Sequence, residues 1–529
     1  MKITERYLTF ETNPDNACVN VNIYDKDELI EQVFTHLGEG EVKYFVDMQE
    51  YIGKELRIEI TKCTSLWQRY PEPFVTDEML SERIKYVRCE DSYETEFDAN
   101  KYRPYVHFTT QRGWVNDPNG CLYYDGVYHL YYQHCPGAPY AMWDNNHWGH
   151  AWSKDLITWT EAEPILRYPH AASGTGFVNR ENKKACITHG YMIFESDDGG
   201  YHYKFKSVNT AGNGDPKILF IEEFNKYFSI TLRDITSYSI SSSPDLVNWQ
   251  HESDILGFRE CPEMVKYQIE GTNEYKWVLN GGDGAYQIGE FNGHEFIPDP
   301  IDPNRLDKYV YVMNATKNFS NKYNGSYVNY NYKDEWDRFC TYAHQNFDSA
   351  PNGRKIRIAW YPIRYTSIGK MPFNQAMTIP CELKLRNTAL GLRLCAMPVD
   401  EIKNYHSEYK VVEGDNPELE SGGRCFDCEI EMTPDSTLYA RGYGFRYNEE
   451  TKMLTITPPD NVEFDVPCIP YDGKIKIRAL FDIMIAEFFI GMGEVYVPLK
   501  PENPDEDGIF VEIKGKGKIE INKISKIRK

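Results

Sequence analysis

No stretch of the 529-residue chain comes near the roughly 18 consecutive apolar positions of a membrane-spanning helix. The opening MKITERYLTFETN has charges where a signal peptide needs an apolar centre. Both features argue against a membrane partner and lead to the expectation of a cytoplasmic protein. Clustered basic charge is also scarce. Asp and Glu number 80 against 58 Lys and Arg, a net charge of −22, so the backbone of a nucleic acid would be repelled and no such partner is expected. The 13 cysteines are odd in number and scattered from Cys18 to Cys468, unlike the framework of a disulfide scaffold. Cys425-Phe-Asp-Cys428 is a lone pair without a second pair or histidines at zinc spacing. No EF-hand loop is present either, so neither a metal nor an organic cofactor is expected.

Aromatic residues are plentiful. They make up 14% of the chain, with 40 Tyr and 10 Trp, and Tyr, Val, Ile and Thr prevail over the Ala and Leu that helices favour. The length exceeds what one core can organise. An all-β protein of several domains follows. Alternation in VNVNIY at 19–24 and LRIEIT at 56–61 predicts a small β-sandwich over residues 1–95, and the polar, proline-bounded stretch 70–104 reads as a connector. Alternation returns after about residue 393, most clearly in KIKIRALFDIMIAEFFI, and predicts a second sandwich over 393–529.

Between them an internal repeat stands out. Ser153-Lys-Asp-Leu-Ile-Thr-Trp159 recurs as Ser243-Pro-Asp-Leu-Val-Asn-Trp249, with a weaker copy at Ser196-Asp-Asp-Gly-Gly-Tyr-His-Tyr203. A period of about 45 residues is the length of a four-stranded propeller blade. Residues 96–392 are therefore expected to form a five-bladed β-propeller whose inner strands converge on a funnel. Catalytic groups in such a funnel should lie a blade or more apart in sequence.

Three acids stand in suitable contexts, each near a proline that fixes its backbone: Asp117 in WVNDPNG, Asp215 in GNGDPKILF and Glu260 in FRECPEMV. Pro118-Asn119-Gly120 has turn chemistry, so Asp117 reads either as an Asx-type turn residue or as a hairpin residue with an added purpose. The Asp125-Gly126 pair that follows is an ordinary hairpin signal. One acid per blade in an aromatic-rich chain suggests sugar chemistry by paired carboxylates.

These segments carry a resemblance. His107-Phe-Thr-Thr-Gln-Arg-Gly-Trp-Val-Asn-Asp-Pro-Asn-Gly120, Trp148-Gly-His-Ala-Trp-Ser-Lys-Asp-Leu156, Glu260-Cys-Pro-Glu263 and Phe481-Asp-Ile-Met-Ile-Ala-Glu-Phe-Phe489 resemble the motifs of glycoside hydrolase family 32, the invertases, inulinases and levanases. The likeness extends from about His107 to the C-terminus. It implies a retaining hydrolase that releases fructose from sucrose or short fructo-oligosaccharides. Asp117 would be the nucleophile and Glu260 the acid/base, with their carboxyls about 5–5.5 Å apart. Asp215 would stabilise the charged ring, in preference to Asp234, which follows an arginine but stands only half a blade from Glu260. Asn116, Gln133, Trp143 and Ser173 match the family's sugar contacts.

The pattern also departs from the family. The arginine expected before the third acid is Gly214, the aromatic of the Ser-Gly block is Ala172, the acid expected near Tyr342 is replaced by Cys340, and Arg259 stands where the family has Trp. These changes point away from plain sucrose, with Arg259 or Arg233 as the replacement cation. Tyr342 and Trp360 read as core or rim. Two other readings stay open: a propeller glycosidase or phosphorylase for another sugar, and a carbohydrate-binding protein without catalysis. The N-terminal sandwich is compatible with covering the funnel rim, joining two copies into a homodimer, or stabilising the propeller.

Overall fold

The computed structural model describes residues 1–13, 15–63, 76–139, 146–167, 173–212, 214–234, 237–256, 258, 260–282, 284–300, 341–363, 365, 370–459, 461, 463–501 and 503–527. It is a β-structure in three parts. Two three-stranded sheets, with Tyr7–Thr12 and Val19–Asp25 as their central strands, enclose a core of Leu8, Phe10, Val19, Val21, Ile23 and Val33. The stretch read as a connector partly belongs here. Val87–Glu90 pairs with Tyr7–Phe10 and completes one sheet, after a short helix Asp77–Glu82 capped by Thr76. A four-residue strand and a six-residue helix are too short to show a period, so composition alone read as linker.

Five blades follow, and their inner strands are Gly113–Tyr124, Gly174–Val178, Gly214–Ile221, Glu263–Gln268 and Tyr342–Asn346 (blades I to V). The last blade ends with Gly391–Pro398, which pairs with Cys381–Thr388, so that strand crosses the 392/393 boundary drawn from sequence. Phe373–Asn374 lies parallel to Gly113–Trp114 and joins the last blade to the first. The remaining chain forms two six-stranded sheets around a core that includes Phe426, Phe445, Phe481 and Phe488.

The repeat marks equivalent corners. Ser153, Ser196 and Ser243 each end the third strand of blades I, II and III, and each hydroxyl donates to the aspartate two residues on, at 3.0, 2.9 and 3.1 Å. Those aspartates then accept backbone N–H groups of the turn, as Asp155 does from Ile157 and Thr158. Buried polar side chains tie the inner strands around the axis. Gln345 accepts from the Cys121 N–H at 2.8 Å and donates to the Gly174 carbonyl at 3.0 Å. Lys217 pairs with Glu263 at 2.9 Å, and Glu263 accepts from Asn346 at 2.9 Å. All five blades are thus pinned below the funnel mouth.

A buried ionic cluster fastens the C-terminal sandwich to the propeller. His107 meets Asp482 at 2.9 Å and Glu487 at 3.1 Å, all three side chains being fully buried. Asp482 also accepts the N–H groups of Tyr105 and Val106. Burial alone would make His107 harder to protonate, yet the charges of Glu487 and Asp482 outweigh it and raise its pKa to about 9. Two motifs 375 residues apart are therefore halves of one joint.

Candidate active site

The segment WVNDPNG is not a turn. It runs inside the inner strand of blade I, whose pairing with Val127–Cys135 slips between Val115 and Pro118 and again between Asn119 and Leu122. A bulge uses the same residues as a turn: proline tolerates the missing ladder bond, and Gly120 takes φ = 68°. The first slip leaves Asn116 and Asp117 outside the ladder and re-aims their side chains. The predicted Asp125-Gly126 hairpin is present, with φ of 47° and 85°. Blades III and V repeat the device, with slips between Gly214 and Lys217 around Asp215, and between Tyr342 and Gln345.

Asp117, Asp215 and Glu260 are brought together. The Cys261 thiol lies 4.0 Å from Asp117 Oδ2 and 3.9 Å from Asp215 Oδ2, and the Cys261 N–H donates to Asp215 at 2.9 Å. Asp117 is buried and accepts from Asn116 Nδ2 at 3.2 Å and from Ser173 Oγ at 3.4 Å. Gln133 completes that network, accepting from Asn116 at 2.5 Å and donating to Ser173 at 3.2 Å. Three of the predicted sugar contacts therefore surround the predicted nucleophile. Trp143 and Arg259 lie outside the described residues.

Two of the acids and the cysteine between them carry backbone strain. Asp215, Glu260 and Cys261 have φ of 43°, 45° and 46°, in the left-handed region that costs a residue other than glycine about 1–2 kcal/mol. Hydrogen bonds hold it in place: the Glu260 carbonyl accepts from Tyr238 Oη at 2.8 Å and from the Gly282 N–H at 2.9 Å. The carboxylate of Glu260 is fixed separately, since Tyr342 Oη donates to its Oε2 at 2.5 Å. Tyr342, read from sequence as core or rim, thus touches the predicted acid/base directly. It lies 82 residues from Glu260, and no local pattern announces such a contact.

Burial is the main cause that raises the Asp117 pKa from 3.8 to about 7. The donor Asn116 opposes it, while the negative charges of Asp215 and Glu260 add to it. Asp215 is raised for the same reasons, burial first and then the charge of Glu260. Arg233 does not supply the missing cation, because its guanidinium pairs with Asp254 and is largely exposed. Gly214 has a steric reason to lack a side chain. A Cβ there would sit 2.3 Å from the Leu232 carbonyl oxygen and 2.7 Å from Leu232 Cβ. Asp234 ends the second strand of blade III and is exposed.

The sequence profile described as Glycosyl hydrolases family 32 N-terminal domain matches residues 107–398, which carry all three acids. The chain belongs to glycosyl hydrolase family 32. Among family 32 relatives, a levanase from Bacillus subtilis is 26% identical over 75% of this chain and 66% of its own length. An invertase from Schizosaccharomyces pombe is 33% identical over 37% of this chain and 42% of its own length. The chain thus spans about two fifths to two thirds of these curated relatives. Two solved structures share the fold at a TM-score of 0.65: the exo-inulinase of Aspergillus awamori (18% identity, 80% of this chain, 98% of that one) and the β-fructofuranosidase of Schwanniomyces occidentalis complexed with fructosyl-erythritol (19%, 81% and 100%).

Proposed function

We propose that this family 32 protein is a retaining β-fructosidase that releases fructose from short fructo-oligosaccharides, sucrose or a related fructoside. The observation that carries the reading is the gathering of Asp117, from blade I, with Asp215, from the inner strand of blade III, and Glu260, from the chain entering blade IV, around Cys261 at one funnel mouth. In this scheme the Asp117 carboxylate attacks the anomeric carbon while Glu260, oriented by Tyr342, gives a proton to the departing oxygen. Glu260 then takes a proton from water, which releases fructose from Asp117. Asp215, Asn116, Gln133 and Ser173 face the fructosyl hydroxyls and balance the charge of the flattened ring. The names levanase, invertase and exo-inulinase among its relatives support a fructoside as the substrate.

Incubation with sucrose, inulin-type and levan-type oligomers, followed by product chromatography, tests the substrate class. NMR of the first-formed fructose anomer tests retention. Inverted product, or turnover only on another glycoside, overturns the assignment. A cytoplasmic setting is proposed on the scattered cysteine set, and fractionation of the source cells checks it.

A further inference from the structure

The outward face of a small sandwich sheet should be wet, yet here part of it is dry, while Thr61 and Arg57 on the same face stay exposed. On the sheet of Val19–Asp25, Glu28–Thr35 and Arg57–Lys62, Val33 faces the sandwich core. Asn20 and Phe34, paired across the other face, are only 8% and 5% exposed. The propeller covers that part of the face. Phe34 and Cys18 pack with Cys135 and Ala138 of blade I, and Trp114, cross-strand partner of Cys135, lies between this cluster and that of Tyr342, Ala343 and Trp360. The approach is close: a Cβ on Gly137 would stand 2.2 Å from the Phe34 carbonyl oxygen and 2.4 Å from Val33 Cγ1. Arg167 pairs with Glu31 at 3.3 Å, and Lys370, on the loop before the strand that joins blade V to blade I, pairs with Glu41 at 2.6 Å.

Trp114 connects this interface to the predicted nucleophile. Its indole Nε1 is a donor only, and it donates to Asn116 Oδ1 at 2.8 Å. That bond decides which way the Asn116 amide faces. With its oxygen turned to the indole, the amide presents its NH2 group to Asp117 at 3.2 Å and to Gln133 at 2.5 Å. The opposite orientation would set an amide oxygen against a carboxylate. We propose that the N-terminal sandwich, through Phe34, is a positioning element of the active site: it seats Trp114, which orients Asn116 as a donor to Asp117. Phe34 lies outside the family-matched residues 107–398. The inference rests on the fructosidase reading for its kinetic consequence but not for its structural one.

The test compares full-length Phe34→Ala, Phe34→Val and Phe34→Leu with the native chain, labelled with 5-fluorotryptophan. The Trp114 resonance is assigned by Trp114→Phe. Positioning requires that the Trp114 resonance shift or broaden in Phe34→Ala and return toward its native position in Phe34→Leu. It also requires a kcat on the fructoside the native chain cleaves best about tenfold lower in Phe34→Ala, with KM within twofold and partial recovery in Phe34→Leu. An aryl β-fructofuranoside should show the same loss, because its better leaving group relieves Glu260 and not Asp117. A folded Phe34→Ala with an unmoved Trp114 resonance and native kcat overturns the proposal. Should Phe34→Ala fail to fold, Phe34→Val decides by the same two readouts. If the native chain cleaves no fructoside, the functional assignment fails, and the resonance alone decides the positioning.

Discussion

Replacing Asp117 by Asn should inactivate the protein and at the same time make it more stable. The carboxyl is buried beside those of Asp215 and Glu260, and its pKa lies at about 7 in the fold against 3.8 ordinarily. Each tenfold change in proton affinity is about 1.36 kcal/mol, so holding Asp117 ionised costs the folded state on the order of 4 kcal/mol. Because the folded value is the higher one, the native chain is favoured fully below pH 3.8 and loses that advantage as pH rises through about 7. An Asn at 117 keeps the shape and never ionises. The apparent Tm of Asp117→Asn should therefore exceed that of the native chain by several degrees at pH 8, and the two should converge near pH 4. Thermal melts from pH 4 to 8, alongside an assay of fructose release, measure both halves. An Asn variant that melts lower than the native chain at pH 8 by the same margin as at pH 4 would refute the electrostatic account of this site.

Tyr342→Phe removes the donor to Glu260 Oε2, and a hydrogen bond to a charged group is worth about 1.5–3 kcal/mol, so kcat should fall roughly 10- to 100-fold with the fold intact by circular dichroism. Asp482→Asn breaks the buried joint with His107 and should destabilise the chain by about 3 kcal/mol. The His107 share of that stability is complete below pH 6.5 and lost as pH rises through about 9, while the Asp482 share, its pKa being lowered, is lost as pH falls through the acid range. The gap in denaturation midpoint between native and variant chains should thus be widest at mildly acidic pH and narrow above pH 9. Gly214→Arg, which restores the residue that family 32 resemblance leads one to expect, should lower the Tm and leave turnover unimproved, because its Cβ meets the Leu232 backbone.

Much of this molecule can be read from local pattern. Alternation located the sandwiches, and the Ser-x-Asp corners gave the blade period because each corner satisfies its own turn with a side chain two residues away. The proline-flanked acids could be singled out because special backbone geometry leaves a mark in residue choice. That same mark misled at Pro118-Asn119-Gly120, since a turn and a bulge draw on one set of residues and only the partner strand distinguishes them. What no window of sequence contains is the set of contacts made by closing the ring. Tyr342 reaching Glu260, His107 meeting Asp482, Phe34 seating Trp114 and the exclusion of a side chain at Gly214 all depend on elements distant in the chain. The sequence specified which groups carry charge and where the backbone bends. Tertiary packing decided which of them became neighbours, and with that the burial that raises Asp117.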